Sequence, residues 1–323
     1  MPVSPRGSAR IGSVKKLIQP ASLILLVIIA LAVSTCNRPA GDSDADSGPA
    51  PGTDRNPIVM AFVPSTEAEK IVEGAGTLMQ MLEDETGYRF KDYVATSYIA
   101  VVEALGKGHV QVAWLPTLAY VLAHERNGAE VVLKVVRHGR DTYYGLIITR
   151  VDSGIETLED LKGETFAFVD AASASGHLYP RALLLKHGVD PDTDLERYVF
   201  AGGHDSAVLA VYKGNVAAGA IYDDAREKFS ETIPEVFEQT KVIGKTDPIP
   251  SDTVAIAADV PPEVAKAITE ALLRLVHTEE GKQAMYEIYN VEDLVVAGDG
   301  DYDSVRDMAA VLDLDLEKQV RGE

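Results

Sequence analysis

The chain has 323 residues, 46% of them hydrophobic, and its 50 Asp and Glu against 30 Lys and Arg give a formal charge of −20. An acidic excess of this size excludes nucleic acid as a partner, because holding a phosphate backbone takes clustered Lys and Arg. It leaves a small anion open as a ligand, provided that a site supplies local donors.

Residues 1–35 carry Arg6, Arg10, Lys15 and Lys16 but no acid, followed by an apolar run from Leu23 to Val33. A charged region and then a short apolar region predict a signal peptide. A membrane span would need about 20 apolar residues for roughly 30 Å of hydrocarbon, and this run is shorter. Cys36 is the only cysteine, so an internal disulfide is excluded. The run Ala32-Val33-Ser34-Thr35-Cys36 resembles a bacterial lipobox, which implies acylation of Cys36 and a lipid anchor on the extracytoplasmic face of the membrane; a chance cysteine closing an ordinary signal peptide is the alternative. Residues 36–56 hold Gly, Pro, Ser, Asp and Ala without a large apolar side chain, a composition that predicts a flexible tether.

From residue 57 apolar and polar segments alternate, over a length sufficient for two domains. Strands are expected near 58–63, 88–95, 110–114, 131–137 and 143–149. Helices are expected from Ser65-Thr66 to Thr86, near 98–107 and near 116–126. That is the pattern of parallel strands with helical crossovers. A second set follows, with strands near 164–169, 197–201 and 216–221 and helices near 176–187, 204–213 and 223–231; then come a strand at 253–257 and helices near 261–277, 279–289 and 302–312. Two α/β sets and a returning strand predict two lobes, 57–146 with 247–323 and 147–246, joined by crossings near 142–150 and 243–256. Such lobes make a cleft that closes by hinge motion.

The segment richest in chemistry runs from Phe166-Ala-Phe-Val-Asp170 into Ala-Ala-Ser173-Ala-Ser175-Gly176-His177-Leu-Tyr-Pro180. A strand, a small-residue loop and a helix start present hydroxyls, free N–H groups and the positive end of a helix dipole to an anion without any Lys or Arg. An ordinary serine N-cap has the same appearance. Tyr98, Tyr120 and Trp114 read by themselves as packing residues, His204 equally as a cap or a ligand contact, and Asp223-Asp224 as a helix N-terminal charge.

The same segment resembles the Asp-Pro-x-Ser-Thr-Ser-Gly-x-x-x-Pro signature of the phosphate/phosphite/phosphonate-binding proteins of ABC transporters, a type II periplasmic-binding-protein family. The likeness extends over nearly all of 57–323, through Trp114-Leu-Pro-Thr-Leu-Ala-Tyr120-Val-Leu-Ala, Gly202-Gly203-His204-Asp205, Ile249-Pro250-Ser251-Asp252 and Asp301-Tyr-Asp-Ser-Val-Arg306. The resemblance implies a two-lobed α/β fold and capture of a phosphorus oxyanion for delivery to a membrane permease and its ATPase, with no cofactor. It further implies that Ser173 and Ser175 donate hydroxyls and that Ala174 and Gly176 donate backbone N–H groups. His204 would add a donor, Tyr98 and Tyr120 would close the pocket, and Asp252 would accept a proton from the ligand. Ala174 stands where the family has Thr, which removes a hydroxyl.

Two rival classes are weaker. Ser175, His177 or His204, and Asp205 or Asp170 supply the residue types of a hydrolase triad, but no Gly-x-Ser-x-Gly elbow surrounds the serine. A metal site drawn from His177, His204, Asp205 and Asp223 has no paired-histidine spacing behind it.

Overall fold

The computed structural model describes residues 50–223 and 225–312. The expected signal peptide, Cys36, the tether as far as residue 49, and Asp224 lie outside the described residues. No helix among the described residues is long and apolar enough to cross a membrane.

In chain order the strands are β1 (Ile58–Phe62), β2 (Phe90–Val94), β3 (Val112–Leu115) and β4 (Glu130–Val136), then the two-residue β5 (Thr142–Tyr143). They continue with β6 (Gly145–Arg150), β7 (Thr165–Phe168), β8 (Arg197–Phe200), β9 (Ala218–Tyr222) and β10 (Thr240–Lys245). The last are β11 (Ile249–Pro250), β12 (Thr253–Ile256) and β13 (Asp293–Val296). They form a six-stranded sheet ordered β13-β4-β12-β3-β1-β2 and a five-stranded sheet ordered β10-β6-β9-β7-β8.

The first sheet begins as parallel β/α units. Helix α1 (Ala68–Thr86) joins β1 to β2, and α2 (Tyr98–Gly106) joins β2 to β3. Each helix packs its apolar face on the sheet, and the four residues of β3 are buried, as a central strand covered on both faces must be. The chain leaves this sheet after β4 and returns as β12, which inserts antiparallel between β3 and β4. The outgoing and returning segments run side by side as an antiparallel ladder, Tyr143 opposite Ile249 and Thr142 opposite Pro250. Everything between them, including α4 (Tyr179–Lys186) and α5 (His204–Tyr212), belongs with the second sheet.

Three expectations are corrected. The sheets are mixed: β6 is antiparallel to β9 and β10, and β12 and β13 are antiparallel to their neighbours. An apolar run specifies burial and carries no information about direction. Strands β10 and β13 were not expected, because each is an edge strand with several exposed residues and so has a weak apolar pattern. The helix expected at 223–231 is a short 3-10 turn, Ala225–Phe229.

Candidate functional site

Between the two sheets lies a cleft of about 880 Å³ of unfilled space, continuous with solvent. One wall is the loop after β7. The Ser173 hydroxyl oxygen accepts the Gly176 N–H at 3.0 Å and starts a π-helical turn, Ala174–Leu178, that runs into α4. The turn is held close to the sheet because the Val169 N–H donates to the Gly176 carbonyl at 3.0 Å. Only glycine fits at 176, since a Cβ there would run into the Val169 side chain. Ser173 and Ser175 both line the cleft and both are almost fully buried.

The loop therefore differs in part from expectation. The Gly176 N–H is taken by Ser173 and is not available to a ligand, because the serine is both a helix cap and a lining residue. Ala174 is fully buried and does not line the cleft. The Ser173 and Ser175 hydroxyls are the polar side-chain groups that this wall brings to the cleft.

The facing wall comes from the six-stranded half. Ser97 caps α2, accepting the Ala100 N–H at 3.2 Å, which sets Tyr98 in the first turn over the cleft. The Tyr98 hydroxyl is fully buried and, like Thr66 Oγ1, has no hydrogen-bond partner among the described residues. Burial, with Asp170 nearby as the next influence, pushes the Tyr98 phenol well above its ordinary value, so it stays a protonated donor. Such a group costs about 1–3 kcal/mol when left without an acceptor. Behind it Trp114, Phe62 and Tyr289 form an aromatic floor with ring centroids 6.2–6.4 Å apart, and Trp114 itself reaches the cleft.

His204 opens α5, and its Nδ1 accepts the Tyr222 N–H at 3.0 Å, so in the neutral ring the hydrogen sits on Nε2. Burial, reinforced by Lys228 and Arg137, lowers its pKa to about 3, and the ring remains a neutral donor on the cleft. The two halves touch here. The His204 N–H donates to the Ser65 carbonyl at 3.0 Å, and the Glu67 N–H, at the start of α1, donates to Asp205 Oδ2 at 2.9 Å. The α1 cap thus comes from the opposite half and not from Ser65 or Thr66. Gly203 permits the approach, because a Cβ there would lie 3.0 Å from the Pro64 carbonyl oxygen.

Sequence reasoning missed the charges. Arg137 and Arg140 flank a tight turn in which each N–H donates to the other's carbonyl at 2.9 Å and His138 and Gly139 take positive φ. This two-residue hairpin geometry sets the flanking side chains on one face, and both arginines line the cleft. Asp252 lines it too, but its Oδ2 accepts from Arg137 Nη2 at 2.8 Å, so it does not await a ligand's proton alone. Asp223, expected at a helix start, instead accepts the Tyr144 N–H at 3.0 Å and lies 3.5 Å from Arg140. Lys228, half-buried on the cleft, has its pKa lowered by burial. The signal that could have found the arginines was Arg-His-Gly-Arg itself, a glycine-bearing turn between strand patterns.

Tyr120 is a further correction: it is not at the cleft. Its hydroxyl donates to Asp299 at 2.7 Å and its ring packs edge-on against Tyr302 at 4.8 Å. Tyr120 lies on α3 (Thr117–Asn127), on the side turned to the helix Asp303–Val311. The triad geometry is absent among the described residues. His177 Nδ1 meets the Ala171 carbonyl at 3.0 Å and its ring packs among Phe168 and Phe200, while His204 Nδ1 faces a backbone N–H where a carboxylate would be needed. No group of three or more metal-ligating side chains is assembled among the described residues.

Comparison with known proteins places this geometry. Residues 60–302 match the family model described as ABC transporter, phosphonate, periplasmic substrate-binding protein. The phosphate-import protein PhnD of Mycolicibacterium smegmatis is 29% identical over 302 residues, covering 88% of this chain and 93% of that protein. Among solved structures, a binding protein component of an ABC phosphonate transporter from Pseudomonas aeruginosa superposes with a TM-score of 0.73 at 23% identity, covering 81% of this chain and 87% of the other. PhnD1 of Prochlorococcus marinus, in complex with methylphosphonate, gives 0.72 at 18% identity over 79% of this chain and 98% of the other. The two structures attest a shared fold, and the family match over most of the sequence goes further: this chain belongs to the phosphonate-binding family of periplasmic substrate-binding proteins of ABC transporters.

Proposed function

We propose that the protein captures a phosphorus oxyanion (phosphonate, phosphite or phosphate) in the cleft between its two sheets and hands it to a membrane permease powered by an ATPase. The observation that carries this reading is the convergence of polar side chains on the cleft, two of which, Tyr98 and Thr66, are buried hydroxyls with no hydrogen-bond partner among the described residues. The Tyr98 hydroxyl and Thr66 Oγ1 face the same cleft as the Ser173 and Ser175 hydroxyls and the neutral His204 ring. A tetrahedral oxyanion offers several lone pairs in a compact volume and would satisfy donors arriving from both halves at once. Residues 57–146 with 247–323 and residues 147–246 would then act as lobes that close on it, the paired crossings serving as hinge.

The test is a thermal-shift screen of the purified protein against phosphate, phosphite, methylphosphonate, aminoethylphosphonate, sulfate and arsenate. A ligand at about 100 times its dissociation constant adds about 2.7 kcal/mol to stability. A phosphorus oxyanion is expected to give the largest shift, and no shift with any of them would overturn the reading. Export and anchoring through Cys36 complete the proposal, supported by the sequence at 1–36. Cys36→Ser should move the protein from the detergent phase to the aqueous phase, and unchanged partitioning would remove the anchor.

A further inference from the structure

Arg137 changes what Asp252 demands of a ligand. A lone carboxylate facing an anion repels a fully ionised one and favours a ligand that brings a proton or an ammonium group. Here Asp252 Oδ2 already accepts from Arg137 Nη2 at 2.8 Å, with the two side chains only 23% and 17% exposed. Arg137 Nε donates to the Tyr289 carbonyl at 2.9 Å, which fixes the plane of the guanidinium, and the His138-Gly139 turn fixes its stem. These two bonds use two of the five N–H groups of an arginine. The residue lines the same cleft as Tyr98, Ser175 and His204. Of the other lining carboxylates, Asp223 is occupied by the Tyr144 N–H and by Arg140, and Glu227 lies at the solvent-exposed part of the lining.

We propose that Arg137 is the specificity-determining residue of the cleft: by neutralising Asp252 and turning its remaining N–H groups to the ligand, it sets the site to take the doubly ionised form of a phosphorus oxyanion and leaves a ligand ammonium no unpaired carboxylate in the buried part of the cleft. This rests on the reading that the cleft binds phosphorus oxyanions. The other groups facing Arg137 are His204, Lys228 and Tyr222 from the five-stranded half, and Tyr143 and Tyr289 from the other side. His138, next in the chain, lies 3.8 Å from Glu292. These groups are common to wild type and variants, so the difference between them at each pH isolates Arg137.

The experiment is calorimetry of wild type, Arg137→Gln, Arg137→Lys and Asp252→Asn with phosphate across its second ionisation, and with methylphosphonate and aminoethylphosphonate at neutral pH. Wild type should hold or gain phosphate affinity as pH rises, and should bind aminoethylphosphonate no tighter than methylphosphonate. Arg137→Gln should lose about tenfold or more at the alkaline end, lose less at the acid end, and shift its preference toward aminoethylphosphonate by a similar factor. Arg137→Lys should recover most of the alkaline affinity. Asp252→Asn keeps the guanidinium and should bind phosphate more tightly at the alkaline end, which carries the test if Arg137→Gln does not fold. An Arg137→Gln protein with the wild-type pH profile and ligand ratio, or an Asp252→Asn protein weakened at high pH, would overturn the inference while leaving the functional reading intact. Failure of wild type to bind any phosphorus oxyanion would overturn both.

Discussion

The two walls of the cleft present different chemistry to the anion that we propose it binds. The loop after β7 and the start of α5 offer neutral groups, namely the Ser173 and Ser175 hydroxyls and a His204 ring kept uncharged by burial, with Lys228 beside them. The facing half adds the neutral Tyr98 and Thr66 hydroxyls and, in the hairpin after β4, permanent charge, with Arg137 on Asp252 and Arg140 beside Asp223. In the proposed complex, neutral donors on a rigid turn would define where the oxygens sit, at little desolvation cost, and the charged pairs would define how much negative charge is welcome, because each arginine is already partly compensated. A chain with formal charge −20 can therefore receive an anion without a net positive patch.

The comparison implies that acid should strike one half first. Both buried histidines, His177 and His204, belong to the five-stranded half, and burial lowers their pKa values from 6.5 to about 4 and about 3. A base with a depressed pKa binds fewer protons folded than unfolded between the two values. Its stabilisation is therefore complete above about pH 6.5 and falls as pH drops toward the folded value, by about 1.4 kcal/mol per pH unit for each group. Burial raises the pKa of Asp170 and Asp205 in the same half, which offsets part of this loss; with the two histidines dominating, amide exchange at about pH 4.5 should open residues 165–222 before β1–β3. The slope of stability with pH should shrink by about 1.4 kcal/mol per unit in His177→Gln. Equal opening of the two halves would break the comparison.

A smaller effect is expected from Gly176→Ala. Its Cβ would collide with Val169 and press on Ser173 Oγ, moving the serines off the cleft. Overpacking of this kind costs about 1–3 kcal/mol of stability. Calorimetry with the best ligand should show binding lost even where the protein remains folded, and wild-type affinity would mean that the turn is not a ligand wall.

The smallest stability change, and the sharpest separation of fold from function, is Tyr98→Phe. It removes a buried hydroxyl that has no partner among the described residues, so the ligand-free protein should melt at the same temperature or higher. Affinity should fall by about tenfold or more, the value of a hydrogen bond to a charged acceptor. A variant with reduced stability and unchanged affinity would make Tyr98 a packing residue, as its place on an apolar helix face first suggests.

What could be read from the sequence was local. The strand, small-residue loop and helix around Ser173 and Ser175 lie within a dozen residues, so their chemistry shows in the order of the letters, and the element pattern follows from apolar periodicity over most of 57–312. Even there, the pairing of the Gly176 N–H with Ser173 was invisible, since a cap and a ligand donor use the same residue types. Tyr120 was misplaced because a residue on a helix turns to whatever packs on that helix, and here that is Tyr302 and Asp299, far along the chain.

The sequence by itself determined the two sets of α/β elements and the strand, small-residue loop and helix around Ser173 and Ser175, because apolar periodicity and short-range spacing are sufficient for each. Only the tertiary structure decided strand direction, the cap on α1 from Asp205, and above all the pairing of Arg137 with Asp252, residues 115 apart in the chain. Antiparallel insertion of β12 beside β4 brings that pair together, and a contact made by sheet register leaves no trace in the neighbours of either residue.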